Sequence, residues 1–404
     1  RIYPDQNQLK KAADVIKNSK QPIIISGGGV LYSEAEKELS DFAKKHNIPV
    51  MPTAMGIGCM DKDDPYYIGP IGCLGVGSSN SLSKDTDLAL AIGTKLGDFT
   101  TGSWSNFHNP DFKLVSINAA RFDVTKHRAT PVVSDAKIGL RELTKKLDDW
   151  KAPANWYERA RKEAKEWDQY VAKASGPTNQ ELPTYAHAVG AVYRNADPSD
   201  VVVTAAGGLV GEVVQIWKPK QINTFETEWG FSCMGYEISG ALGMKMAKPD
   251  QDFIVFIGDG SYLLQNSDIY SSVIYEKKLI IIVCDNSGHM VINRLQLAKG
   301  GKEYLCNFKS ARASNFVEID FASHAASMGA ESETVTSTSE LEAAFLRAKK
   351  SKGTYVISIK THGYEWLEGT AFWESPTLEV LNTEGNKQAF KEFKEGKARQ
   401  RKGV

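Results

Sequence analysis

Two stretches without a polar residue, Phe253–Ile257 (FIVFI) and Leu279–Val283 (LIIIV), constrain this chain more than any other feature. Apolar runs of this length, rich in β-branched side chains, fit strands covered on both faces, the environment of a parallel sheet. Between them Ile269, Tyr270, Val273 and Ile274 recur at helical spacing and predict a helix with an apolar face. Strand, helix and parallel strand form a right-handed crossover, which brings both strand ends to one edge of the sheet. The first run ends in Gly258-Asp259-Gly260-Ser261 and the second in Asp285-Asn286-Ser287-Gly288. Asp259 and Asn286 are therefore predicted to share one crevice.

That pairing suits magnesium, which takes hard oxygen ligands and is usually held by one or two side chains, with phosphate and water filling the rest. The Asp259 carboxylate, the Asn286 amide oxygen and the Gly288 carbonyl are the candidate metal ligands. Gly258 and Gly260 allow backbone N–H groups to approach an anion at a helix start, and Ser261 adds a hydroxyl and another N–H. The plainer alternative is a strand-to-helix turn with Asp259 as its cap. An Asn-x-Gly at the end of the next buried strand weighs against it.

The same alternation runs through the chain. Pro22–Ser26 ends in Gly27-Gly28-Gly29 and is followed by a helical pattern from Glu34 to His46, then by extended Ile48–Met51. Leu88–Ile92, Lys113–Ile117, Val201–Thr204 and Tyr355–Ile359 are further strand candidates. A length of 404 residues with 42% apolar content is enough for two cores. The expected fold class is α/β, with two doubly wound parallel-sheet domains. Residues 1–150 form the first, 151–180 a helical linker and 181–375 the second; 376–404 is a charged, solvated tail.

The 49 basic and 49 acidic residues balance, which argues against nucleic acid or an anionic membrane as partner and for a small-molecule ligand. No apolar stretch reaches the roughly 20 residues that span a bilayer. Five scattered cysteines without a CxxC pair fit a reducing cytoplasm. The start, Arg1-Ile2-Tyr3-Pro4, has neither an initiator Met nor a signal pattern.

GDG, a crossover helix and an Asn ending the next buried strand resemble the signature of thiamine-diphosphate-dependent enzymes. The resemblance implies thiamine diphosphate and Mg2+ as cofactors, with Asp259, Asn286 and Gly288 on the metal. The strand Val201–Thr204 and the loop Gly207-Gly208-Leu209 are similar to a segment touching the diphosphate, or form an ordinary Gly-rich turn. Trp229–Gly243 resembles the segment beside the aminopyrimidine ring. There Met234 would be the apolar wedge that bends the cofactor, and the Ser232 carbonyl would orient its amino group; the alternative is Met234 as core filler. His289 and Met290 open the next helix, where His289 touches cofactor or substrate or simply caps, and Val291 would line the substrate.

The combination of DFTTGS (Asp98–Ser103), SINAARFD (Ser116–Asp123), DNSGHMVINRLQ (Asp285–Gln296) and THGYEW (Thr361–Trp366) looks most like the branch of that family that opens a cyclic 1,2-dione by hydrolysis in inositol breakdown. His289 and His362 are then the candidate catalytic residues, His362 to recognise a hydroxylated ring or protonate an intermediate, or to make a local structural contact. The sequence departs from related synthases around Ile71–Gly75, where no histidine occurs, and from the dione-opening branch after Trp366. The family also implies a pyrimidine-binding domain with a glutamate, which no residue after Arg1 supplies. The natural polypeptide is thus expected to begin earlier, this chain alone to be inactive, and the site to be shared between subunits of a homodimer or homotetramer. Two alternatives stay open: an acetolactate-synthase-like or 2-oxoacid-decarboxylating enzyme, and a non-catalytic nucleotide-binding or assembly module. For the latter, Gly27-Gly28-Gly29 lacks the full GxGxxG fingerprint, so FAD is possible but not predicted.

Overall fold

The computed structural model describes residues 1–310 and 316–401. Two parallel sheets organise it. The first contains β1 (Pro22–Ser26), β2 (Val50–Pro52), β3 (Leu88–Ile92), β4 (Lys113–Asn118) and β5 (Thr130–Val133), in the order β2-β1-β3-β4-β5. The second contains β6 (Val201–Thr204), β7 (Phe225–Thr227), β8 (Phe253–Gly258), β9 (Ile280–Asp285), β10 (Glu331–Val335) and β11 (Tyr355–Lys360), in the order β10-β11-β9-β8-β6-β7.

Each sheet is apolar on both faces because successive side chains alternate across it. In the second sheet Ile254, Phe256, Ile280 and Ile282 enter one core, while Phe253, Val255, Ile257, Ile281 and Val283 enter the other. Ile24, Leu90 and Val115 are divided in the same way from Ile23, Ala89 and Leu114 in the first sheet. The uninterrupted apolar runs therefore fold as doubly covered central strands.

The long helix Ala154–Ala174 joins the two halves. Its early residues Trp156, Ala160 and Ala164 pack into the first core, where Trp156 Nε1 donates to the Pro22 carbonyl at 2.9 Å, and Val171 reaches the second core. After β11 the chain returns to the first domain. Asn80 Nδ2 donates to the Gly369 carbonyl at 2.8 Å, Ala371 N to the Gly72 carbonyl at 3.2 Å, and Glu374 N to Ser103 Oγ at 2.8 Å.

Two expectations need correction. The single helix after β8 is two short helices, Asp259–Leu264 and Asp268–Ile274, broken at Gln265 in extended backbone. Of its expected apolar face only Ile269 is fully buried; Tyr270 and Ile274 are 56% and 54% exposed, since they lie about 100° around the helix Asp268–Ile274 from the inward pair Ile269 and Val273. The segment after Pro376 is more than a solvated tail: it forms the helix Glu384–Ala398, capped by Thr383, with Asn386 and Ala389 buried. Asn386 Nδ2 donates to the carbonyls of Lys299 and Gly300, so a few inward positions among many lysines suffice to dock it. Lys402 to Val404 lie outside the described residues.

Candidate cofactor and metal site

In the second sheet the strand order reverses between β6 and β8, since β7 continues outward from β6 while β8 and β9 lie on its other side. Ligands of open α/β sheets bind at such switch points, beyond the carboxyl ends of the strands. The loops after β6, β8 and β9 meet there, and they contain most of the predicted residues.

Register sets the geometry. Gly258 of β8 pairs with Cys284 of β9, and Asp285 of β9 pairs with Lys360 of β11. Asp259, the residue after β8, therefore stands abreast of Asp285 and Lys360 at the ends of the neighbouring strands. Lys360 Nζ is 2.7 Å from Asp285 Oδ2 and 3.7 Å from Glu318. Asp259 is 1% exposed, and burial, then the adjacent Asp285 carboxylate, pushes its carboxyl up. Two buried carboxylates facing one ammonium favour a further positive charge at Asp259.

Asp259 Oδ1 accepts from Gly260 N at 2.9 Å and Oδ2 from Gly288 N at 2.7 Å, so the two motif loops are joined directly. Each oxygen keeps lone pairs for another partner. Asn286 Nδ2 donates to Tyr185 Oη at 2.7 Å, whereas its buried Oδ1 has no partner among the described residues. A buried amide oxygen without a donor costs about 1–3 kcal/mol, and a cation would supply the partner that this atom lacks. By that measure Asn286 Oδ1, on the loop tied to the Asp259 carboxylate, fits a magnesium ion, and the Gly288 carbonyl of the same loop would be the further oxygen.

The diphosphate candidates surround this point. Gly207 has φ +80°, a left-handed conformation that favours glycine, and Gly208 lies so close to the Trp366 ring that a Cβ would collide with it. The Leu209 side chain is buried in the core, leaving its backbone N–H as the group available to a ligand. Glu237, fully buried, ties the loops together: Oε1 accepts from Ala206 N at 3.1 Å and Oε2 from Gly235 N at 2.7 Å, and the Ser261 hydroxyl also bonds to it. Ser232 has φ +54° and donates its hydroxyl to the Ala205 carbonyl at 3.1 Å, while Glu228 accepts from the backbone N–H groups of Phe231 and Cys233. Met234 is half-buried beside this turn.

His289 lies over the GDG turn, where a Cβ on Gly260 would stand 2.5 Å from its Nδ1, and its ring meets Phe308 edge-on at 5.5 Å. Met290 is buried and Val291 half-buried in the first turn of the helix Met290–Ala298. His362 flanks the site rather than entering it. Its Nδ1 accepts from Tyr364 N and Glu365 N at 3.2 and 3.1 Å, and Nε2 is 3.7 Å from Glu365.

Sequence reasoning gave no role to Tyr185, Asp285, Glu237 or Lys360. Asp285 and Lys360 had a signal, since both are charged residues closing apolar strands; the other two acquire their contacts only through the tertiary fold. The first domain shows a different use of glycine. A Cβ on Gly29 would come within 2.6 Å of Gly93 Cα, so this triplet permits close packing against the end of β3. A groove of about 780 Å³ is lined by Gln21, Leu88 and Lys113 at the amino ends of β1, β3 and β4, away from the chemistry.

The paired sheets and this oxygen-lined switch point define a class, the thiamine pyrophosphate enzymes. The family description "Thiamine pyrophosphate enzyme, central domain" matches residues 9–143, and "Thiamine pyrophosphate enzyme, C-terminal TPP binding domain" matches residues 205–359; the chain belongs to this family. Among curated relatives, the 3D-(3,5/4)-trihydroxycyclohexane-1,2-dione hydrolase of Halalkalibacterium halodurans is 34% identical over 419 residues, covering 96% of this chain and 65% of the relative. Hydrolases of the same name from Lacticaseibacillus casei and Clostridium botulinum are 33% and 32% identical over 98% and 96% of the chain. The chain spans 65% of the length of each of these three relatives.

Proposed function

We propose that this chain is the central and cofactor-binding part of a cytoplasmic enzyme that opens trihydroxycyclohexane-1,2-dione to 5-deoxyglucuronate by hydrolytic carbon–carbon cleavage. The reading is carried by the 34% identity to a hydrolase of that substrate over 96% of the chain. The unpartnered Asn286 Oδ1 beside the Asp259 loop supports the metal site it requires.

Asp259, Asn286 and the Gly288 carbonyl would hold Mg2+. Backbone N–H groups of Gly207 to Leu209 and Ser261 would face the diphosphate, the Gly260 N–H being taken by Asp259 Oδ1, and Met234 and the Ser232 carbonyl would support and orient the pyrimidine. When bound, thiamine diphosphate supplies the electron sink for breaking a carbon–carbon bond next to a carbonyl. His289, over the GDG turn, would meet cofactor or substrate, and Val291 would line the approach. His362, which flanks the site with Nδ1 tied to its own turn, would meet only a part of the substrate that extends beyond the site, through Nε2. The site would be completed by a pyrimidine-binding domain from another subunit, in a homodimer or homotetramer.

The test is ring opening of the cyclic dione, followed with thiamine diphosphate and Mg2+ on this chain and on a version extended at its amino end. Hydrolysis by the extended protein supports the reading. Carbon dioxide release from 2-oxoacids, or their condensation, without dione cleavage would replace it with a synthase or decarboxylase. Absence of any cofactor binding would leave an assembly module.

A further inference from the structure

An asparagine serves as a metal ligand only through its oxygen, and nothing in the amide itself decides which end faces the ion. At Asn286 the surroundings are unequal. One end of the buried amide lies 2.7 Å from the Tyr185 hydroxyl, and the other, Oδ1, has no partner among the described residues. Tyr185 is 5% exposed and is the first residue of the helix Tyr185–Asn195. That helix start is fixed by a capping box in which Thr184 Oγ1 accepts from His187 N at 3.3 Å and His187 Nδ1 accepts from Thr184 N at 3.1 Å. The Pro183 carbonyl is held in turn by His362 N at 2.9 Å, and the Tyr185 ring meets Trp366 edge-on at 5.6 Å. The hydroxyl is therefore held from several sides at a fixed place next to a candidate ligand.

We propose that Tyr185 is a positioning residue of the metal site: its hydroxyl accepts the Asn286 amide N–H and so keeps Oδ1 turned toward the ion. The inference rests on the metal-site reading above. Partners that orient a ligand in this way commonly contribute a factor of about 10–100 in metal affinity. Tyr185→Phe removes the acceptor while keeping the ring and its packing.

The experiment is a titration with Mn2+ in the presence of thiamine diphosphate, read by electron paramagnetic resonance of the free ion. It uses the full polypeptide that contains this chain, with melting of the metal-free protein recorded alongside. Tyr185→Phe is expected to weaken Mn2+ binding about 10- to 100-fold. A double-mutant cycle separates positioning from general structure. In an Asn286→Asp background both ends of the ligand side chain are oxygens, so adding Tyr185→Phe is expected to change affinity less than about threefold. An equal loss in both backgrounds, or an unchanged affinity in Tyr185→Phe alone, overturns the proposal. Unchanged affinity in Asn286→Ala, or no Mn2+ binding by the parent protein, instead overturns the metal site and the proposal with it.

Discussion

Glu212 offers a test of how the cofactor domain balances buried charge. It lies in the first turn of the helix Leu209–Ile216, is 3% exposed, and accepts at Oε1 from Leu367 N at 2.9 Å, while Oε2 has no partner among the described residues. Burial pushes its carboxyl up to about 7; the Leu367 N–H and the charge of Arg294 oppose that rise only in part. A folded-state value above the ordinary 4.5 means that the folded chain binds the proton more tightly. The stability associated with the neutral acid is therefore lost as pH rises from the ordinary value through the folded one. The gap amounts to about 3 kcal/mol, of which about 2 kcal/mol develops between about pH 5 and about pH 8. Glu212→Gln keeps an acceptor for Leu367 and cannot ionise. Urea unfolding of both proteins across this range is expected to show the variant gaining about 2 kcal/mol over the parent toward the alkaline end. Parallel pH profiles would refute the account.

Three further outcomes follow from the site. Asp259→Ala and Asn286→Ala are each expected to abolish magnesium-dependent thiamine diphosphate binding, measured by calorimetry, while circular dichroism stays that of the parent. Gly208→Ala drives a methyl into the Trp366 ring and is expected to cost about 1–3 kcal/mol in denaturant unfolding. Lys360→Met leaves the buried Asp285 carboxylate without its ammonium; because the lysine is partly exposed, a loss of about 2 kcal/mol near neutral pH is expected, and an unchanged melting temperature would show that the pair contributes nothing.

Central strands were legible in the sequence because burial on both faces leaves an unbroken apolar run. β1, β3 and β6 coincide with the predicted segments, and β4, β8 and β11 extend theirs by a single residue. Three strands without such runs, β5, β7 and β10, sit at sheet edges. β5 carries Pro131, β7 has three residues, and β10 reads ESETV, because an edge strand needs neither full hydrophobicity nor every N–H. The pairing of Asp259 with the Asn286 loop was readable from crossover geometry alone. Glu237 and Tyr185 were not, since a glutamate next to Tyr236 and a tyrosine opening a helix look like ordinary surface choices until the fold encloses them. The break at Gln265 was hidden because Ile269 and Val273 keep helical spacing on either reading.

The return of residues 369–374 onto the first domain changes the topology of the whole chain. With the helix Ala154–Ala174 leading out and this strap hydrogen-bonded back, the second domain is held by one covalent link and one non-covalent strap, like a bucket on a handle with both ends attached. A protease cut in the exposed stretch around Thr178–Leu182 would sever the covalent link and leave the halves joined through the strap's hydrogen bonds. Such a two-point attachment resists wide hinge opening, because parting the domains would first have to break the strap's bonds at Gly72 and Gly369.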